Sequence, residues 1–111
     1  MERFVHQTLL FDFYGVLLTD HQRAVYEDVV CNDIGCSEVA AREGVSRQSI
    51  NELVRKCDRT MEGYEEKLHL VGRYLAVRDQ LKMLKKRIGE TASEAEAGEL
   101  TAICDRILEE L

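Results

Sequence analysis

CSEVAAREGVSRQSINELVR, residues Cys36–Arg55, is the stretch on which the fold turns. Ser37 stands where it would cap a short helix of less than about two turns. Gly44 follows where the chain needs a left-handed residue, a conformation in which a side chain clashes. Val45 is placed to plug the angle between two helices, and Ser46 to cap the second of them. Short helix, glycine turn, apolar plug and capped second helix make a helix-turn-helix.

The second helix of that unit divides into two faces. At roughly 100° per residue from Arg47, residues Ile50, Leu53, Val54, Cys57, Met61 and Tyr64 share an apolar side. Arg47, Gln48, Asn51, Arg55 and Arg59 share the opposite side, within about 120° of one another. Arginine, glutamine and asparagine can form paired hydrogen bonds to purine edges, and arginine also meets phosphates. Any solvated helix face is polar in this way; the short helix and glycine turn before it make a recognition helix the better reading.

Outward from the motif, every segment reads as helix. There is no proline, and no alternating run of strand length. Phe4, Phe11, Tyr14 and Leu18 mark one face of a helix over residues 3–18. Thr19 and Asp20 then open a second helix that presents Ala24, Val25, Val29 and Val30 to a core and ends near Cys31. Asn32 to Gly35 read as a turn. Beyond the motif, Leu70, Tyr74, Val77, Leu81, Leu84 and Ile88 form a heptad stripe on a helix from Leu68 to near Gly89. Thr91 and Ser93 offer caps for a last helix with Leu100, Ile103, Ile107 and Leu111 on one side. The stripe needs a partner: an antiparallel hairpin of the last two helices, or a homodimer seam. The expected architecture is all-α, with N-terminal helices and a helix-turn-helix (37–59) in residues 1–66. A C-terminal helical hairpin follows in 67–111, packed with them as one compact domain.

Charge is distributed unevenly. The 111 residues carry a formal net charge of −6, which excludes a bulk polycation. Residues 67–89 alone carry +6, and residues 90–111 carry −6. The basic run Lys82, Lys85, Lys86 and Arg87 is a secondary phosphate-contact patch, unless the neighbouring Glu94, Glu96, Glu99, Asp105, Glu109 and Glu110 neutralise it. Such exposed pairs are worth about 0–1 kcal/mol each, so a strongly anionic partner would displace them.

Signals for chemistry are missing. Neither a P-loop nor a dinucleotide-binding glycine pattern occurs. Cys31, Cys36, Cys57 and Cys104 form no C-x-x-C, and neither His6, His21 nor His69 stands at zinc-ligand spacing from them. His69 and the Glu65-Glu66 pair read as helix surface rather than catalytic groups. No enzyme activity, cofactor or metal is expected. Asp12 interrupts the one long apolar stretch, Leu9–Leu18, so no membrane span is expected either. Lacking an export signal, the chain is expected in the cytoplasm with its cysteines as thiols.

The wording SEVAAREGVSRQSI (Ser37–Ile50) resembles the last DNA-binding region of sigma-70-type factors. Together with LLFDFYGVLLTDHQR (Leu9–Arg23), SRQ (Ser46–Gln48) and EGYEEKLHL (Glu62–Leu70), it resembles the YlxM family of signal-recognition-particle-associated, DNA-binding proteins. The resemblance is carried by residues 8–70. It implies a regulatory, non-enzymatic accessory of the bacterial signal recognition particle, acting through the particle's RNA or its GTPase. Family members often carry an aromatic residue where this chain has Asn51, so a base-stacking role there is not implied. The alternatives are a regulator that reads duplex DNA, and a protein-interaction module that kept the helix-turn-helix shape.

Overall fold

The turn after the short helix is closed by the backbone itself. In the computed structural model, which describes residues 2–111, α3 (Cys36–Glu43) ends at Gly44 with φ +70°. The Val45 amide donates to the Ala40 carbonyl at 3.0 Å and the Gly44 amide to Ala41 at 3.4 Å. This crossed pair of bonds satisfies the end carbonyls of α3 and requires the left-handed residue. Helix α4 (Arg47–Leu68) starts at once, its Ser49 amide donating to the Ser46 hydroxyl at 3.0 Å. The N-cap of α3 is Gly35, not Ser37: the helix begins two residues earlier than its serine promises. Val45 does not plug the angle either, being 45% exposed. The space between α3 and α4 is filled by Val39, Ala40 and Ile50, with Leu53 beside them.

The remaining helices are α1 (Arg3–Tyr14), α2 (Asp20–Tyr26), α5 (Leu70–Thr91) and α6 (Glu94–Glu109); the described residues contain no strand. A 3₁₀ turn, Gly15–Leu17, ends α1 earlier than the periodicity indicates. Thr19 and Gln22 then form a reciprocal capping box for α2. After Tyr26 the backbone widens into a π turn, Glu27–Cys31, in which the Asn32 amide reaches back to the Glu27 carbonyl at 2.9 Å. The extra residue per turn brings Val30 inward with Val25, while Ala24 is exposed. Phe4 is likewise exposed; the inward face of α1 is carried by Leu10 and Tyr14.

The chain forms two compact units, Met1–Val71 and Gly72–Leu111. In the first, Val25, Val39, Ala40 and Ile50 make one apolar cluster, so α2, α3 and α4 share a core. Polar links fasten the rest. Asp58 on α4 accepts from Tyr26 Oη at 2.5 Å and from Gln7 Nε2 at 3.0 and 3.2 Å, tying α1 and α2 to α4 through one carboxylate. Arg42 pairs with Asp28 at 2.6 Å, and His21 with Glu43 at 2.7 Å, fixing α3 to the α2 region.

At the end of α4, His69 takes φ +57°. A non-glycine residue there costs roughly 1–2 kcal/mol, and the next two amides show what holds it. Leu70 N–H donates to Tyr14 Oη at 3.1 Å, and Val71 N–H to Glu65 Oε1 at 2.9 Å. Tyr14 Oη donates in turn to Glu65 Oε1 at 2.5 Å. Burial, and then this carboxylate, push the Tyr14 phenol above its ordinary range. The first turn of α5 is thus capped by side chains from α1 and α4. The break falls after Leu68, so α5 begins at Leu70.

In the second unit, α5 and α6 pack as a hairpin. Leu81, Ile88 and Cys104 are buried, with Val77, Ala92, Ala97 and Leu108 against them. Three members of the heptad stripe, Val77, Leu81 and Ile88, therefore belong to the hairpin core, while Leu84 stays 49% exposed. Ser93 caps α6 through the Glu96 amide at 3.3 Å. Thr91 is the last residue of α5 and donates to the Arg87 carbonyl instead. The inward face of α6 is one position round from the anticipated one. Leu100, Ile103, Ile107 and Leu111 are 39–49% exposed.

Candidate nucleic-acid interface

The exposed side of α4 is organised by what α1 covers. Counting around the helix, Asp58 and Glu62 lie on the same side as the arginines. Helix α1 takes both: Gln7 binds Asp58, Arg3 lies 3.7 Å from it, and His6 Nε2 lies 2.6 Å from Glu62 Oε1. The exposed basic residues therefore run from Arg47 to Arg59, a length of roughly 18 Å at 1.5 Å per residue, with Asp58 among them taken by α1. Beyond Arg59 the helix surface is acidic, with Glu62 paired to His6.

Within that window the five residues singled out from sequence differ. Arg47, Gln48, Arg55 and Arg59 are all exposed. Among the described residues, Arg47, Gln48 and Arg59 have no hydrogen-bond or ion-pair partner. Arg55 lies 3.5 Å from Glu52, one turn before it on the same helix, with both side chains more than half exposed. A pair like that is worth at most about 1 kcal/mol and exchanges readily for a phosphate. Asn51 is half-buried, and its Oδ1 accepts from the Cys36 thiol at 3.1 Å. That bond ties the start of α3 to α4 and engages the Asn51 carboxamide.

The N-terminal end of α4 adds a feature that the sequence did not reveal. Ser46 satisfies one first-turn amide, and helix geometry leaves the other first-turn N–H groups without an intrahelical acceptor. They lie at the positive end of the helix dipole, beside Arg47. The Ser46 and Ser49 hydroxyls, 2.8 Å apart, sit at the same end. The capping role of Ser46 was legible in the sequence, but the exposure of this end was not.

The basic run of α5 divides in two. Lys85 pairs with Asp105 of α6, and Arg87 lies 3.8 Å from Glu90 on its own helix. Lys82 and Lys86 are exposed and, among the described residues, unpaired.

Among the described residues no group of three His, Cys, Asp or Glu side chains is placed to hold a metal ion. The cysteines are free thiols, and burial pushes the Cys57 thiol up to about 11. No helix of the described residues is long and apolar enough to cross a membrane.

A short helix, a left-handed glycine and a long capped second helix with an open basic face define a helix-turn-helix protein. Comparison with known proteins agrees. Residues 1–101 match the family described as "Putative helix-turn-helix protein, YlxM / p13 like", and the chain belongs to that family, UPF0122. It is similar to a UPF0122 protein of Thermoanaerobacter sp. strain X514, at 34% identity over 97% of this chain and 92% of the relative. A UPF0122 protein of Caldanaerobacter subterraneus subsp. tengcongensis is 35% identical over 77% of this chain and 73% of its own. One from Lactococcus lactis subsp. cremoris MG1363 is 36% identical over 78% of each.

Proposed function

We propose that the chain binds nucleic acid through the first four turns of α4, as an accessory of the bacterial signal recognition particle, with the particle's RNA as its ligand. The observation that carries the proposal is the open window from Arg47 to Arg59. Its unpartnered Arg47 and Gln48 lie at the exposed N-terminal end of the helix, and its unpartnered Arg59 at the far end of the window. Arg47 and the first-turn amides would hold one phosphate. Arg55 and Arg59 would hold others further along the helix, and Gln48 a base edge or ribose hydroxyl. Resemblance to the YlxM family directs the choice to the particle's RNA. An RNA helix offers phosphates and 2′-hydroxyls across a wide minor groove.

Binding to that RNA, measured against salt concentration, tests the proposal. Each phosphate-binding side chain removed lowers the slope of log K against log[salt] by about 0.7–0.9. Arg47→Ala with Arg55→Ala should weaken binding and flatten the slope by up to roughly 1.4–1.8. Unchanged affinity and slope would take α4 out of the interface. Preference for duplex DNA over the RNA would move the function to transcriptional regulation, with α4 in the major groove.

The formal charge of −6 favours a second reading, a protein-interaction module. Capture of the particle's GTPase that persists after nuclease treatment would support it, and disappearance of that capture would remove it.

A further inference from the structure

Residues 47–59 of α4 hold two carboxylates, and the fold treats them differently. Asp58 is turned to the N-terminal helices, where it accepts from Tyr26 and Gln7. Glu52 stays open, its side chain 58% exposed. Among the described residues its one ion pair is with Arg55, 3.5 Å away and one turn on. At roughly 100° per residue, Glu52 falls within the arc spanned by Gln48, Arg55, Lys56 and Arg59. Along the axis it falls between Gln48 and the three cations. All four neighbours are exposed. Lys56, like Gln48 and Arg59, has no hydrogen-bond or ion-pair partner among the described residues.

A carboxylate in the middle of a phosphate-binding face repels the ligand. The pair with Arg55 is no compensation, since exposed pairs of this kind contribute little. What a carboxylate offers instead is acceptors alone, two oxygens side by side. Sequence-specific recognition of RNA targets unpaired bases, read on their Watson–Crick and Hoogsteen edges. Among the Watson–Crick edges, guanine alone sets two donors, N1–H and N2–H, next to each other. Adenine and cytosine set a ring-nitrogen acceptor beside the amino group, and uracil sets its single N–H between two carbonyls.

We propose that Glu52 is the base-reading residue of α4, accepting from N1–H and N2–H of an unpaired guanine. Arg55, Lys56 and Arg59 hold the phosphates on either side of that guanine. They lie within about 11 Å of Glu52 along the helix axis, close enough for one strand to meet the carboxylate with a base and the cations with its backbone. Binding exchanges the Arg55 pair for a phosphate on Arg55 and the guanine edge on Glu52, so neither charge is left unmatched. The inference rests on α4 being the nucleic-acid-binding helix and gives that helix a specificity: a looped or single-stranded RNA with guanine at one position.

Fluorescence anisotropy of the full chain with three short RNAs tests it, each a run of uridines around a central guanosine, inosine or adenosine. The guanosine strand should bind roughly five- to a hundredfold tighter than the adenosine strand, the range of a paired base contact. Inosine, which lacks the N2 amino group, should fall between them. Glu52→Ala, at an exposed position, should leave helical circular dichroism unchanged and bring the guanosine and adenosine strands to within about twofold. Equal affinity of the wild-type chain for those two strands overturns the guanine reading, as does a preference that survives Glu52→Ala. Binding to the particle's RNA but to none of the short strands overturns it too. Absence of salt-dependent binding to the particle's RNA itself is a different result, which removes the nucleic-acid reading of α4 and this inference with it.

Discussion

Replacing Tyr14 by phenylalanine removes one oxygen and disturbs the two groups bonded to it. The phenol is buried, donates to the Glu65 carboxylate at 2.5 Å and accepts the Leu70 amide at 3.1 Å. A hydrogen bond to a charged group contributes about 1.5–3 kcal/mol. Glu65 keeps the Val71 amide, at 2.9 Å, so its carboxylate is weakened but not stripped. Leu70 is 38% exposed, so water can reach its neighbourhood and soften the loss of the second bond. The phenylalanine ring fits the same space, so no cavity term is added. The expected destabilisation is therefore about 1.5–3 kcal/mol. Urea unfolding followed by far-UV circular dichroism measures it as a lower midpoint at constant slope. A cycle with Glu65→Ala isolates the pair and should return a coupling of at least about 1 kcal/mol. A coupling under about 0.3 kcal/mol would mean that the two side chains are not bonded to each other, and that Tyr14 and Glu65 do not together cap α5.

Three further outcomes follow from the backbone and the buried thiol. Gly44→Ala places a side chain at φ +70° with nothing within 4 Å of its Cβ, so the cost is conformational alone, about 1 kcal/mol by thermal or urea unfolding. His69→Gly relieves the opposite situation and should stabilise by about 0.5–1 kcal/mol, the left-handed penalty less the added chain entropy of glycine; a destabilised variant would show that the imidazole holds the turn. Cys57 ionises at about 11 in the folded chain against an ordinary 9.0, because burial, then Asp58, opposes the thiolate. The folded state therefore keeps its proton where the unfolded chain loses it. Stability is unaffected below about pH 9 and declines as pH rises through about 11. Cys57→Ala should flatten that decline in urea midpoints, and an unaltered decline would assign it to Tyr14 and Tyr26, whose phenols are also raised.

Local pattern and tertiary contact divide the protein between them. The helix-turn-helix was legible in the sequence because its signals are short-range. A glycine that must be left-handed and a serine whose oxygen must meet a first-turn amide act within a few residues. The apolar side of α4, Ile50 to Met61, was legible for the same reason: helical period is a property of the segment alone. Which polar residues stay open was not. Asn51 is half-covered by Cys36, fifteen residues earlier in the chain. Asp58 is covered by α1 and Glu62 is paired with His6 on it, more than fifty residues earlier. Helical period places those three with Arg47 and Arg55, and only packing separates them. Likewise, the sequence of α6 offers two apolar stripes one position apart, Leu100–Leu111 and Ala97–Leu108. The smaller side chains went inward against α5, because close approach of two helices favours small residues where they meet. That choice is made by the partner helix, and no reading of α6 by itself contains it.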